Sequence, residues 1–571
     1  MPRWFDERPD LLAHEIQELE RAGFPCVIDD GERAAGRIVL HIDCRLDGVE
    51  HRLRATFPHE YPYFPFHVEA PTLSLANHQN PYSKDLCFVA DIESEWSVND
   101  TVAMYLTERL PLVLQANADP AAAEKMEAHE GAPATEYMEY MPGSVVVTGD
   151  WKLDANQTRG TMDIGIEEHG DPNLALRGAV TRLSDIGGRT MGEAEPWLKN
   201  RYSQQLRARW VRLPGPPKSR KPGDIIEEVA AIWPQLRTPG FKAGPDVVGV
   251  VFQDQARYRE MHDLWIFVVR RRDRMVVKQP RNDRRMSGDR LTTYLARADR
   301  GSANDLLVRI PRLSPLAGKK VALIGLGALG SHCAWQLARA RVSRLALMDH
   351  DVVQTGNLPR WLVGWAAIGH YKAHVLTLYL RHHYPYVDSE AFVHRLGAPS
   401  IPQEDAERVM AGFFDDADLV MDCSATYTVS HYLSTLAWKR GIPYIWVTGT
   451  PGSWGGIVGR AIAGRTDGCW KCFRHHCHDR RYREPAFDSG PNVQPIGCFS
   501  PTFTGSGFDM DQVSIMATRL AVSELCRGAD QGYPDFDADI AIADFWRDGK
   551  PIAPDWRSHP LTRHSACDMH G

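Results

Sequence analysis

The run Val321-Ala322-Leu323-Ile324, followed at once by Gly325-Leu326-Gly327-Ala328-Leu329-Gly330, constrains this chain more than any other feature. Four apolar residues in a row read as a short buried strand. Glycines at 325, 327 and 330 permit a tight turn and let a phosphate approach the N-terminus of the helix that follows. A second apolar run, Leu345-Ala346-Leu347-Met348, ends on Asp349, whose carboxylate can hold a ribose hydroxyl. The order strand, glycine loop, helix, strand, acidic residue predicts a doubly wound α/β nucleotide-binding fold. Up to this point a dehydrogenase fits as well as any other nucleotide enzyme, and so does a scaffold that binds nothing.

The next residues narrow the choice. The segment continues through Asp351, Asn357 and Arg360, then Lys372, and a further strand, Leu419-Val420-Met421, ends on Asp422. Hydride transfer has no obvious use for that set, but attack of a carboxylate on the α-phosphate of ATP does. Two anions must approach each other, so cations such as Arg360 and Lys372 are needed to offset their repulsion. The pyrophosphate leaving group calls for Mg²⁺, a hard cation that prefers carboxylate oxygens such as those of Asp422. Stabilising charge that develops in the transition state is usually the largest catalytic contribution. In this order the residues resemble the ThiF-type adenylation domain shared by ubiquitin-activating enzymes and sulfur-carrier adenylyltransferases, over roughly residues 315–525. The resemblance implies that Gly325, Gly327, Gly330, Asp349, Asp351, Asn357, Arg360, Lys372 and Asp422 bind ATP and Mg²⁺. It also implies that the activated group is a protein's C-terminal glycine. Trp361 stands where the family has glutamine. A second family arginine, often supplied by a dimer partner, has Arg309 and Arg312 as its candidates here, and a homodimer is the implied assembly.

Thiolate is the natural acceptor from an acyl-adenylate, being a strong nucleophile whose thioester remains reactive. Cys498, in Pro495-Ile496-Gly497-Cys498-Phe499-Ser500-Pro501, lies in a predicted loop before a helix that should begin near Asp509. A second candidate is near the N-terminus. There Asp10 can cap a helix with Leu12, Ile16 and Leu19 on its apolar face. Ile38, Leu40, Ile42, Cys44 and Leu46 alternate as a half-buried strand, as do Leu53, Ala55 and Phe57. The proline-rich stretch Tyr61–Phe66 must be irregular, and a helix resumes around Val102–Leu114. Within this unit, Tyr61-Pro62, then His78-Gln79-Asn80, then Leu86-Cys87, then Trp96-Ser97 resemble a ubiquitin-conjugating enzyme. That resemblance makes Cys87 the thioester carrier, Asn80 the oxyanion donor and His78 a residue that shapes the loop. Gln79 replaces the family's proline, and the spacing from Asn80 to Cys87 is one residue short.

Cys469-Trp470-Lys471-Cys472 has the half-site spacing of a structural zinc ligand pair. No second C-x-x-C exists, but Cys567-Asp568-Met569-His570 offers a C-x-x-H, while His475, Cys477 and His478 are nearer in sequence. Eleven cysteines, an odd number at low density, suit a reducing cytoplasm better than a disulfide framework. A net charge of −7 argues against nucleic acid as the main partner, and the lack of any apolar run of about 18 residues argues against a membrane span.

A chain of 571 residues is too long for one core. The expected organisation is a multidomain α/β protein: an α+β ubiquitin-conjugating-like domain over 1–140, a linking or docking domain over 141–312, and a Rossmann-like adenylation domain over 313–571. In the middle stretch Val247–Phe252 and Leu264–Val269 read as strands and Arg207–Lys221 as an exposed loop, and nothing names a chemistry. The domain order resembles the fused activating–conjugating enzymes of bacterial antiphage (CBASS) operons. There the substrate is the C-terminal glycine of a cGAS/DncV-like nucleotidyltransferase, and the final acceptor is a lysine on a target protein. Related operons use a ubiquitin-like protein instead. A sulfur-carrier adenylyltransferase and a non-enzymatic docking scaffold remain as rival classes.

Overall fold

The computed structural model describes all of the chain except residues 1–2, 47, 76–77, 90–91, 119–132, 168–174, 241–243, 258–259, 279–284, 495–501, 503 and 571. It divides into two compact units, Met1–Ser302 and Ala303–Gly571.

After a short helix at Trp4–Glu7, the first unit continues with the helix Pro9–Arg21. Proline takes the first helical position, which makes Arg8 the N-cap residue. Asp10 therefore lies inside the first turn, where it pairs with Arg8 at 2.7 Å, and does not cap the helix as expected. Leu12 and Leu19 are buried, as the periodicity predicts, and so is Glu15. Strands β1 (Cys26–Ile28), β2 (Ile38–Leu46), β3 (Val49–Phe57) and β4 (His67–Glu69) form an antiparallel meander in that order. β2 and β3 pair from Ile38↔Phe57 to Leu46↔Val49, which puts the alternating apolar residues on one face over a shared core. After the irregular Tyr61–Phe66 stretch, helical backbone runs from Val102 to Ala118, with a π-helical segment at Tyr105–Arg109.

The rest of this unit is β-rich. Its strands are β5 (Tyr140–Thr148), β6 (Arg159–Ile166), β7 (Arg177–Asp185), β8 (Thr190–Glu193), β9 (Gln204–Arg212), β10 (Asp246–Arg257), β11 (Glu260–Lys278) and β12 (Arg285–Arg300). They pair in the order β5-β12-β11-β10-β9-β6-β7-β8, and β5 also pairs with β7. That extra pairing closes seven strands into a barrel, whose interior holds Met162, Trp210, Trp265 and Phe267. The expected loop Arg207–Lys221 is corrected in its first part, because Arg207–Arg212 belongs to β9. Leu206, Ala208 and Trp210 point inward, while Arg207 and Arg209 pair with Asp163 and Asp246, so alternation outweighs the basic composition. The helix Pro222–Ile232 joins a second apolar cluster with β9–β12.

In the second unit, strands β13 (Lys320–Ile324), β14 (Arg344–Met348), β15 (Asp388–Phe392), β16 (Leu419–Asp422), β17 (Tyr444–Gly449), β18 (Gly455–Ala461), β19 (Ile540–Arg547) and β20 (Lys550–His559) form one sheet. The order is β15-β14-β13-β16-β17-β18-β19-β20, parallel through β17 and antiparallel beyond it. Strand order reverses between β13 and β16, and the carboxyl ends of strands at such a reversal open a ligand crevice. The helices Ala328–Arg339 and Gly507–Leu525 share the core on one side of the sheet. Ser506 caps the latter, three residues before the expected start at Asp509. Among the described residues no helix is long and apolar enough to cross a membrane.

Candidate functional site

The glycine loop leaves β13 at Gly325, which has φ = 81°, and a side chain there would meet the Ser424 backbone at 2.6 Å. Only glycine satisfies both constraints. The loop borders a cavity of about 690 Å³ lined by Gly325, Asp349, Asp351, Asn357, Lys372 and Arg395, within the usual range for small-molecule sites. Asp349 accepts the Leu326 N–H at 2.7 Å and the Asp351 N–H at 2.8 Å, which ties the glycine loop to the end of β14. Lys372 is the first residue of the helix Lys372–His383 and is buried, with its Nζ 3.0 Å from Asp351 Oδ2. Burial works to raise the Asp351 carboxyl, but the Lys372 charge and hydrogen bond outweigh it and hold the group below its ordinary value. Asn357 accepts the Gln354 N–H at 2.9 Å and starts the turn Thr355–Arg360 that carries Arg360, a half-buried residue outside the cavity lining. Trp361 is buried, and its indole N–H donates to Leu326 O at 2.7 Å, so it braces the glycine loop from behind. Arg309 and Arg312 are exposed.

Asp422, the expected magnesium ligand, is 1% exposed. Its two oxygens accept the Ser424 N–H at 2.9 Å and the Tyr444 hydroxyl at 2.8 Å. In this arrangement its carboxylate braces the loop behind the cavity wall. Asp351, with a half-exposed side chain, is the carboxylate that faces the cavity. Tyr444 carried no sequence signal, because its partner is a residue on the neighbouring strand.

On the other side of the segment Ser424–Thr428, whose last two residues begin the helix Tyr427–Arg440, lies a second cavity of about 420 Å³, lined by Ala425, Tyr427, Trp446, Trp470, Phe473 and Arg474 among others. Cys498 and its neighbours 495–501 lie outside the described residues.

In the first unit, the segment from His78 to Cys87 folds back on itself. Cys87 N–H donates to His78 O at 2.8 Å, Asn80 N–H donates to Asp85 O at 2.8 Å, and Gln79 bridges Leu86. Gln79 donates its amide N–H to Ala70 O and accepts the Leu75 N–H, so it fixes the loop. Asn80 is buried, and its Oδ1 accepts the Tyr82 and Ser83 N–H groups at 2.9 and 3.1 Å. His78 is buried with φ = 59°. Burial, then the Asp85 charge, raises the Cys87 thiol above its ordinary value.

Cys469, Cys472, Cys567 and His570 converge, with their ligand atoms all within 4.8 Å of one another. Sulfur–sulfur distances are 3.9 Å for Cys469–Cys472 and 3.6 Å for Cys469–Cys567, and Cys472 Sγ lies 3.3 Å from His570 Nε2. A tetrahedral zinc with Zn–S bonds near 2.3 Å separates its sulfurs by about 3.8 Å, so the four groups fit that ion. Of the nearer alternatives, His478 is exposed and the other two are engaged elsewhere. His475 stacks on His564, and Cys477 sits in an apolar cluster with its thiol pushed up to about 12, chiefly by burial. The ten cysteines among the described residues are free thiols.

The sheet order and the glycine loop are those of a Rossmann-type α/β domain, and the loop and the Asp349–Asp351–Lys372 wall border one cavity. Residues 307–504 match the model of the ThiF family. Two proteins of Sinorhizobium fredii resemble the chain nearly end to end. The uncharacterized protein y4oA is 28% identical over 99% of this chain and 97% of its own length. The uncharacterized protein y4qC is 28% identical over 97% and 95%. The ATP-dependent ubiquitin transferase-like protein Cap2 of Enterobacter hormaechei is 30% identical over 143 residues, which is 25% of this chain and 23% of that protein.

Proposed function

We propose that this chain uses ATP to activate the C-terminal glycine of a protein and relays it through two thioesters to an amine. The observation that carries the first step is the Lys372–Asp351 pair on the wall of a nucleotide-sized cavity, directly beside the glycine loop. The substrate carboxylate attacks the α-phosphate, an O–P bond forms and pyrophosphate leaves. Lys372, with Arg360 nearby in sequence, offsets the repulsion between the two anions. Asp351, facing the cavity, would hold a Mg²⁺, which would supply charge neutralisation for the pyrophosphate. The aromatic cavity beyond Ser424–Thr428 is the side from which an extended protein tail can reach the nucleotide.

The Cys498 thiolate then displaces AMP. Cys87 takes the acyl group by thioester exchange, and a target lysine attacks the Cys87 thioester, forming the amide as the C–S bond breaks. The meander, the following helix and the fold-back loop at Cys87 support a conjugating role for residues 1–140. A sulfur-carrier adenylyltransferase, the rival reading, leaves Cys87 idle. Residues 141–312 serve as the linking domain of this scheme, 313–571 as the adenylating one, and a structural Zn²⁺ on Cys469, Cys472, Cys567 and His570 and a cytoplasmic homodimer complete it. The activated partner is a cGAS/DncV-like nucleotidyltransferase of an antiviral operon or, in the alternative, a ubiquitin-like protein.

ATP–pyrophosphate exchange, run with glycine-ended proteins encoded beside the gene, tests the first step. Exchange should depend on the partner's terminal glycine, and Lys372→Ala should lower it by roughly 10²–10³-fold, as removal of a charge-stabilising donor does elsewhere. Exchange unaffected by Lys372→Ala overturns the assignment of the cavity.

A further inference from the structure

The tip of the Cys87 loop is held from outside its own domain. One arm of the fold-back is tied to β4, where Leu86 N–H donates to Val68 O at 2.8 Å. The turn at the other end carries Tyr82, whose hydroxyl donates to the carbonyl of buried Pro217 at 2.9 Å, on the segment that leaves β9 of the barrel. The Tyr82 ring packs against the apolar cluster of Leu213, Ile225, Val229, Val250 and Phe252, which the barrel and the helix Pro222–Ile232 share. The Tyr82 main chain is in turn one of the two N–H donors to Asn80 Oδ1. That commits the Asn80 oxygen to the turn and leaves its Nδ2 hydrogens as the donors for an oxyanion.

We propose that Tyr82 is a positioning residue through which the barrel clamps the Cys87 loop and fixes the orientation of Asn80. The barrel is then part of the transfer machinery and not a passive spacer. This inference rests on the reading of Cys87 as an acyl carrier, since it concerns how fast that acyl group is released to an amine. Orientation is worth much in such a step, because a displacement of about 1 Å can cost on the order of 10²-fold in rate.

The test uses the full chain and a glycine-ended peptide presented as its mercaptoethanesulfonate thioester, so that no natural partner is needed. Cys87 attacks the carbonyl, the small thiol leaves with the Cys87 proton, and the acyl-enzyme is followed by mass spectrometry. Free lysine then discharges it, its amine forming the C–N bond as the C–S bond breaks and its proton passing to the Cys87 thiolate. Tyr82→Ala should slow discharge about 10- to 100-fold while loading changes far less, and should raise hydrogen exchange across residues 78–88. Tyr82→Phe, which keeps the ring in the cluster, should restore most of both. Tyr82→Leu, which keeps an apolar side chain there, carries the test if the alanine variant does not fold. Discharge at the wild-type rate, or unchanged exchange across 78–88, in the alanine or leucine variant overturns the clamp. Failure of the wild-type chain to take any acyl group on Cys87 overturns the relay instead, and the exchange comparison still decides whether Tyr82 holds the loop.

Discussion

Glu15 sits at a core position of the helix Pro9–Arg21, 1% exposed, where a carboxylate is costly unless both oxygens are used. It accepts the Tyr61 hydroxyl at 2.5 Å and the Val102 N–H at 3.0 Å, and so joins its own helix, the proline-rich stretch and the later helix. Burial raises its carboxyl, and those two hydrogen bonds only partly oppose the rise. A carboxyl with a folded-state pKa above its unfolded value contributes stability that is fully present below the unfolded value and is lost as pH rises through the folded one. Glu15→Gln removes that titration, so its deficit against wild type should be largest in acid and shrink as pH rises. Glu15→Leu should cost more, because two buried donors lose their acceptor at about 1–3 kcal/mol each. Hydrogen exchange of residues 9–21 at pH 4.5 and pH 7.5 reads both, and a Glu15→Leu variant as well protected as Glu15→Gln refutes the bridging role. At this scale, residues of local motifs such as Asp349, Lys372 and Cys87 were legible in the sequence. Glu15, Tyr82 and Tyr444 were not, because each acts through a partner that only the fold brings near. Asp422 was legible as a strand end, but its engagement with Tyr444 was not.

The helix Trp470–His478 begins one residue after Cys469, and its first turn presents Cys472 toward the chain's last turn, Asp568–His570. Cys472 is held well below the ordinary thiol value, first by its hydrogen bond with Cys469, and also receives the His564 N–H at 3.3 Å. These are the surroundings of a thiolate ligand. Metal analysis of the purified chain should find about one zinc per chain, and Cys472→Ser should release it. Because a metal ties two distant segments, that variant should also lose hydrogen-exchange protection over both 470–478 and 561–570. Native protein free of zinc refutes the site. The C-x-x-C was legible because its spacing is local. The choice of Cys567 and His570 over His475, Cys477 and His478 is made by β19 and β20, which return the chain to that helix. The parallel strands were equally legible, since burial on both faces makes β13, β14 and β16 continuous apolar runs.

The barrel was the least legible part of the molecule. Its closing pairs, β12 with β5 and β5 with β7, are parallel, the first joins segments far apart in sequence, and its outer face is rich in arginine paired with aspartate, as at Asp163 and Asp246. A strand such as β9 then reads as a basic loop until its inward alternation is weighed against composition. The order of the candidate sites along the whole chain yields the last prediction. If thioester capture and amine transfer are separate steps on Cys498 and Cys87, the two cysteine variants must fail at different stages. With a competent glycine-ended partner, Cys87→Ala should keep ATP–pyrophosphate exchange within about twofold of wild type, since nothing in the exchange step uses that thiol. It should accumulate a reducible partner adduct on Cys498 and form no amide-linked product. Cys498→Ala should also retain exchange but should trap no adduct on either cysteine, because the acyl-adenylate then has no acceptor. Reducing and non-reducing electrophoresis separate these species directly. Amide product from Cys87→Ala, or a Cys87 adduct formed by Cys498→Ala, would mean that the acyl group takes another path.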